Sequence, residues 1–287
     1  MENNVVDGHI AKSVVVGIDG SRAAVAAAQW GADEAVGHAV PLRLVHVIDR
    51  NRGFTPDVVK AQSLVAAAAL QDARAAVEAT HTPVKVELES IHGDPGTVLL
   101  QASRSAVLLC VGSPKAAPHG PSDSLAANMA ASAHCSVAIV PATQYSDPKR
   151  AGCRIAALVN FSTADQDVLQ EAMEEAQLRA FPLCVVRTSQ CPSSDLVGDR
   201  QGIERSHAAA AVEESLVNWR RYYPGIEINI VHTDQFLRYV TMHQQSIRSV
   251  VLGAEYHNEV AQLIELTRSR ALRDADFSVY VVRSQHL

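Results

Sequence analysis

Apolar residues fall along this chain in short blocks. Residues 14–18 (VVVGI) and 106–111 (AVLLCV) carry no charged side chain. Strands that read this way are buried on both faces, as in the middle of a parallel sheet. Residues 84–89 (VKVELE) and 226–230 (IEINI) alternate instead. Alternation marks a strand with one face in water, so both are expected at sheet edges. Residues 42–47 and 137–140 complete the strands of the first half.

Between the blocks the spacing turns helical. Ser21 offers a hydroxyl to cap a helix reaching about Gly37. Thr55-Pro56-Asp57 opens a second helix, with proline in the first turn, where a missing N–H costs nothing. Further helices are expected over 95–103 and about 122–132. Farther along, Thr163 and Gln166 are spaced as a capping box. Pro224-Gly225 ends the helix that carries NWRRYY. Strands alternating with helices predict an α/β fold, a parallel sheet with both faces covered.

The order of elements repeats. A constant shift of 141 takes Asp19 to Asn160, Ser21 to Ser162, Glu34 to Glu175, Pro41-Leu42 to Pro182-Leu183 and Gly112 to Gly253. A single period this long means two copies of a whole unit, since solenoid repeats run 20–50 residues. The join is the polar stretch 142–152. The last strand of each copy, 136–140 and 278–282, is apolar although it ends its unit. An open edge of that kind invites aggregation. The two final strands are therefore expected to lie against each other or against a second chain.

Composition narrows the function classes. The chain has 287 residues, 47% of them hydrophobic, enough for a substantial core. Its net charge of −6 lacks the basic stripe of a nucleic-acid binder. Lys149-Arg150 and Arg220-Arg221 read as solvated surface. Five scattered cysteines without a C-x-x-C fit a reducing compartment. With no leader pattern at the start and no apolar run near the ~18 residues of a membrane span, a cytoplasmic protein is expected. No histidine or cysteine spacing suggests a metal centre. His46 and His92 read as packed or turn-bonded residues, and His119 as a loop side chain. Asp33-Glu34 and Glu174-Glu175 read as wet helix faces. Trp30 and Trp219 read as packing residues.

VVVGIDGS, PLRLVHVID, GDPGTVLLQAS and CSVAIVPA together resemble the universal stress protein family, and the second half resembles it more faintly. The resemblance implies two tandem doubly wound domains, residues 1–145 and a degenerate 151–287. Each would hold a five-stranded parallel sheet in the order 3-2-1-4-5 with helices on both faces. It also implies a stress-response regulatory role, a homodimer paired through the final strands, an unidentified regulatory protein partner, and no nucleic acid or membrane. Family members that bind ATP hold it at the carboxyl ends of the first and fourth strands, where ligands sit in such sheets.

By position the adenosine contacts are Gly17, Ile18, Asp19 and Val47. The phosphate loop follows the pattern G-x2-G-x9-G-[ST], because backbone N–H groups must approach the anion closely. Here Gly112 matches the first glycine, with Ser113 after it. Lys115 stands at the second, seven residues intervene instead of nine, and Asp123 stands at the third. Ser124 keeps the hydroxyl and Leu125 follows. A carboxylate about 4 Å from a phosphate charge costs roughly 4 kcal/mol at an effective dielectric near 20. Lys115 offsets part of that. The expected ligand is ATP, with AMP, cyclic AMP or adenosine as alternatives, and magnesium only as the nucleotide's companion. In the second half, Asn160 and the glycine-free stretch after Gly253 argue against a nucleotide. The rival reading is a ligand-free dimeric scaffold. Weak ATP hydrolysis ranks last, because G-x-S-x-G is absent and no nucleophile is paired with a base.

Overall fold

The computed structural model describes residues 12–49, 55–113, 125–143, 152–160, 165–188, 214, 217–268 and 276–284. In the first half the elements are β1 (Ser13–Gly17), α1 (Arg22–Gly37), β2 (Leu42–Ile48), α2 (Pro56–Glu78), β3 (Val86–His92), α3 (Pro95–Ala102), β4 (Ala106–Ser113), α4 (Leu125–Ser132) and β5 (Ser136–Pro141). The second half holds β6 (Arg154–Val159), α5 (Asp165–Arg179), β7 (Leu183–Arg187), β8 (Ile228–His232), α6 (Phe236–His243), β9 (Ile247–Gly253), α7 (His257–Arg268) and β10 (Ser278–Val282). Residues 217–222 are also helical and stop short of Pro224. The capping-box pair's Thr163 lies outside the described residues.

All ten strands form one sheet in the order β3-β2-β1-β4-β5-β10-β9-β6-β7-β8. Each half keeps the order 3-2-1-4-5, and every pairing within a half is parallel. The alternating strands β3 and β8 take the two edges. β3 begins two residues later than its alternation suggested and runs on to His92, because it follows β2 in register from Leu42↔Val86 to Ile48↔His92.

The two halves meet at β5 and β10, which pair antiparallel with Tyr280 opposite Ala138. The apolar final strands thus protect each other within one chain. Each has a neighbour on both sides, so neither offers a free edge to a second copy. Of the two expected arrangements, the final strands lie against each other, within one chain.

Alternate residues along the strands feed two cores, one per face. Val14, Val16, Leu108, Ala138, Ile155, Ala157 and Tyr280 pack on the face of α1, α2 and α5. Val15, Leu109, Val137, Ala156, Leu158 and Val279 pack on the other, against α3, α4, α6 and α7. Both cores run through both halves. α1 comes close to the sheet because it is rich in alanine and because Gly31 lies over Val16 and Cys110.

The acidic pairs are not uniformly wet. Glu34 and Glu175 are buried, at 5% and 2% exposure. The reason is the join: α1 and α5 lie side by side across it, so faces that read as solvent-facing in each half face each other. Trp30 is fully buried in the same place, its ring 5.9 Å from that of Tyr280 and 4.6 Å beneath the Arg179 guanidinium.

Candidate ligand site

β1 ends at Gly17, and the chain then turns into α1. The Ile18 N–H donates to the Val45 carbonyl at 2.8 Å, which extends the pairing with β2 by one residue. Gly20 follows with φ +83°, in the left-handed region that a side chain would strain. The turn is closed by side chains. Asp19 Oδ1 accepts from the Ser21 N–H at 2.8 Å, and Ser21 Oγ accepts from the Ala24 N–H at 3.1 Å. Ser21 is thus the helix cap expected of it.

A cavity of about 520 Å³ opens above this turn. That is within the size range of small-molecule sites. It lies where β1 has β2 on one side and β4 on the other, the point at which the connections diverge to opposite faces. Gly17, Ile18 and Asp19 line it from β1, Val45 to Asp49 from β2 and its end, and Val111 and Gly112 from β4. Val58, Ala61, Gln62 and Val65 wall it from α2, with Leu99 and Leu125 from α3 and α4. The lining is mainly aliphatic, with Asp19, His46, Asp49 and Gln62 as its polar side chains.

His46 is therefore a cavity residue rather than a packed one. Burial holds its imidazole below the usual histidine range, against the opposing pull of the Asp19 charge and the Ile18 carbonyl. It faces the cavity as a neutral ring at pH 7. Its Nδ1 is buried without a hydrogen-bond partner. His92, by contrast, is exposed at the end of β3.

Of the sequence-predicted contacts, Gly17, Ile18, Asp19, Val47, Gly112 and Leu125 come together around this one cavity. Ser113 does not. It is fully buried, its hydroxyl 3.3 Å from that of Thr267 on α7, so it ties β4 to the second half and faces away from the cavity. Lys115, Asp123, Ser124 and His119 lie outside the described residues. Gly112 has a packing role of its own: a Cβ there would strike the backbone of Ala23 and Ala24. Sequence reasoning missed the α2 wall. Its signal was present, because Val58, Ala61 and Val65 form a stripe at helical spacing distinct from the core stripe of Ala66, Ala69, Leu70 and Ala73.

The second half differs at the matching strand ends. Leu158 stands where the first half has Gly17 and is 1% exposed. Gly253 carries the Glu255 carboxylate directly over its Cα. Asp165 Oδ2 accepts from the Asn160 N–H at 3.1 Å.

A universal stress protein of Mycobacterium tuberculosis is 42% identical to this chain over 224 residues, 76% of this chain and 79% of that one. The chain belongs to the universal stress protein family. The family model itself matches residues 11–141, the half that holds the cavity. Another universal stress protein of the same organism is 35% identical over 290 residues, 97% of this chain and 99% of its own length. The fold of this universal stress protein is shared with the crystal structure of one from Archaeoglobus fulgidus, at TM-score 0.64 and 16% identity, over 94% of this chain and 98% of that one. Among the described residues no helix is long and apolar enough to cross a membrane. None of their His, Cys, Asp or Glu side chains cluster in a way that would hold a metal ion.

Proposed function

We propose that this universal stress protein is a regulatory binding module that holds one adenine nucleoside or nucleotide per chain, in its N-terminal half. The observation that carries the reading is the contrast between the halves. At the same point of the same topology, the first half leaves about 520 Å³ open between Gly17, Gly112 and α2, whereas the second has a buried Leu158 in place of Gly17 and the Glu255 carboxylate against Gly253. The aliphatic walls from β2 and α2 suit a flat base. Asp19 Oδ2 has no protein partner among the described residues and is an acceptor for a ribose hydroxyl or a base amine.

Calorimetric titration with adenosine, AMP, cyclic AMP and ATP, the last with and without magnesium, tests this. One site per chain is expected. Ala61 is exposed and faces the cavity, so Ala61→Trp should abolish binding while leaving the thermal midpoint unchanged. No heat with any of the four compounds would leave the ligand-free scaffold as the better reading. Binding that survives Ala61→Trp would place the ligand elsewhere.

A further inference from the structure

The join between the halves holds a cluster of charge that the ligand site does not use. Arg179, near the end of α5, sits among three carboxylates. Its Nη2 donates to Glu34 Oε1 at 2.6 Å, its Nε to Glu175 Oε1 at 2.6 Å, and its Nη1 to Asp33 Oδ2 at 3.1 Å. The side chains of Arg179, Glu34 and Glu175 are 10%, 6% and 1% exposed. The repeat places them: the shift of 141 that takes Glu34 to Glu175 also takes His38 to Arg179. One charged helix face, duplicated, has been turned against itself.

The charges do not balance if every carboxyl is ionised. The Glu34 and Glu175 carboxyls meet on the same guanidinium, and Glu175 favours the protonated form of Glu34. Glu175 Oε2 is buried and accepts no hydrogen bond. Among the described residues the other neighbours named by the contacts are mostly acidic or neutral. From α1, Asp33 is acidic and His38 Nε2 stands 4.0 Å from Glu34 Oε2. From α5, Asp167, Glu171 and Glu174 add negative charge. β10 contributes the Tyr280 hydroxyl, which donates to Glu171 at 2.8 Å, and β4 the buried Cys110 thiol. The Thr82 hydroxyl donates to Asp33 at 3.4 Å. Two like charges in contact beside one guanidinium, out of water, do not both persist.

We propose that the Glu34 carboxyl keeps its proton at neutral pH beside Glu175, and that this proton is a latch holding α1 against α5. Its loss as pH rises leaves two carboxylates facing each other and loosens the last turns of both helices. Burial and the Glu175 charge push the Glu34 carboxyl well above the ordinary range, outweighing the pull of Arg179. An acid whose proton affinity rises on folding takes up a proton as the chain folds. Its contribution therefore falls as pH climbs from the ordinary glutamate range toward the raised value.

The test uses the full chain and three isosteric variants, Glu34→Gln, Glu175→Gln and Glu171→Gln. An infrared difference spectrum at neutral pH should show a protonated carboxyl C=O band in the wild type and in Glu171→Gln, and none in the other two. Between the ordinary glutamate range and the pH at which that band fades, amide protection in the last turns of α1 and α5, corrected for the intrinsic exchange rate, should drop by about tenfold per pH unit, the slope of one proton. Glu34→Gln should flatten that slope. A band lost only in Glu171→Gln would assign the proton to the Tyr280 contact and overturn the proposal. The wild type alone is decisive if a variant does not fold: no protonated band at neutral pH, or protection that stays level from the ordinary glutamate range up to the pH at which the band fades, overturns it as well.

Discussion

A Cβ at Gly112 would stand 2.5 Å from the carbonyl carbon of Ala23 and 2.6 Å from the nitrogen of Ala24. Both are backbone atoms of the first turn of α1, and neither can rotate aside. Gly112→Ala must push α1 off β4, an overpacking cost of about 1–3 kcal/mol. Chemical denaturation should show a lower midpoint with an unchanged slope. The glycine is thus needed by the fold whether or not an anion sits nearby, and the sequence pattern had assigned it to the anion. Motif spacing finds a residue at which backbones come close; it does not say which backbone. The same limit explains Ser113, read as a loop residue and found buried against Thr267. A strand's side chains alternate between faces, so the residue after a cavity-lining glycine points into the opposite core. Glu34 and Glu175 were misread for a different reason. Their burial depends on a contact across the join, and no window along one helix contains it.

Local signals at the element ends were better placed. Ser21 and Thr55 cap the helices that follow as expected, and Asp94 caps a third that the sequence reading had left without a cap; they accept from Ala24, Val58 and Thr97. Each is a short polar side chain just before a helical run, so three residues suffice to read it. Ser21→Ala should cost about 1 kcal/mol, measured by urea denaturation, since the Ala24 N–H loses its acceptor. The Asp94 cap adds a pH test. Its carboxyl is held below the usual range by the Thr97 N–H first and then the Thr97 hydroxyl. A depressed acid contributes in full above its ordinary range and loses that contribution as pH falls through the lower value. Asp94→Asn should therefore shallow the acid limb of the stability profile and leave the alkaline limb alone. The edge strands were legible at this scale as well, because VKVELE and IEINI alternate and the central strands do not. The α2 wall escaped notice because a second apolar stripe beside a core stripe reads as one broad face until the helix is docked.

At the scale of the molecule the repeat matters more than either copy. A five-stranded half ending in an apolar strand has an edge it cannot leave open, and β5 is buried along its whole length by β10 and the flanking helices. The two cores cross that join, one with Trp30 and Tyr280 in it, the other with Val137 and Val279. Neither half keeps its packing when the other unfolds. The full chain should accordingly unfold in one calorimetric transition, with calorimetric and van't Hoff enthalpies equal, instead of the two transitions of independent domains. The residues 12–143 expressed alone make the complementary test. That fragment keeps its cavity lining but exposes the β5 edge and the buried side of α1. It should self-associate in sedimentation experiments, because an apolar strand with free N–H and C=O groups recruits another. Introducing a charge at Ile139, which packs at the β5–β10 pairing, should return the fragment toward the monomer. A fragment that stayed monomeric with β5 unmodified, together with two transitions in the full chain, would mean that the halves stand on their own and that the continuous sheet is only a contact between them.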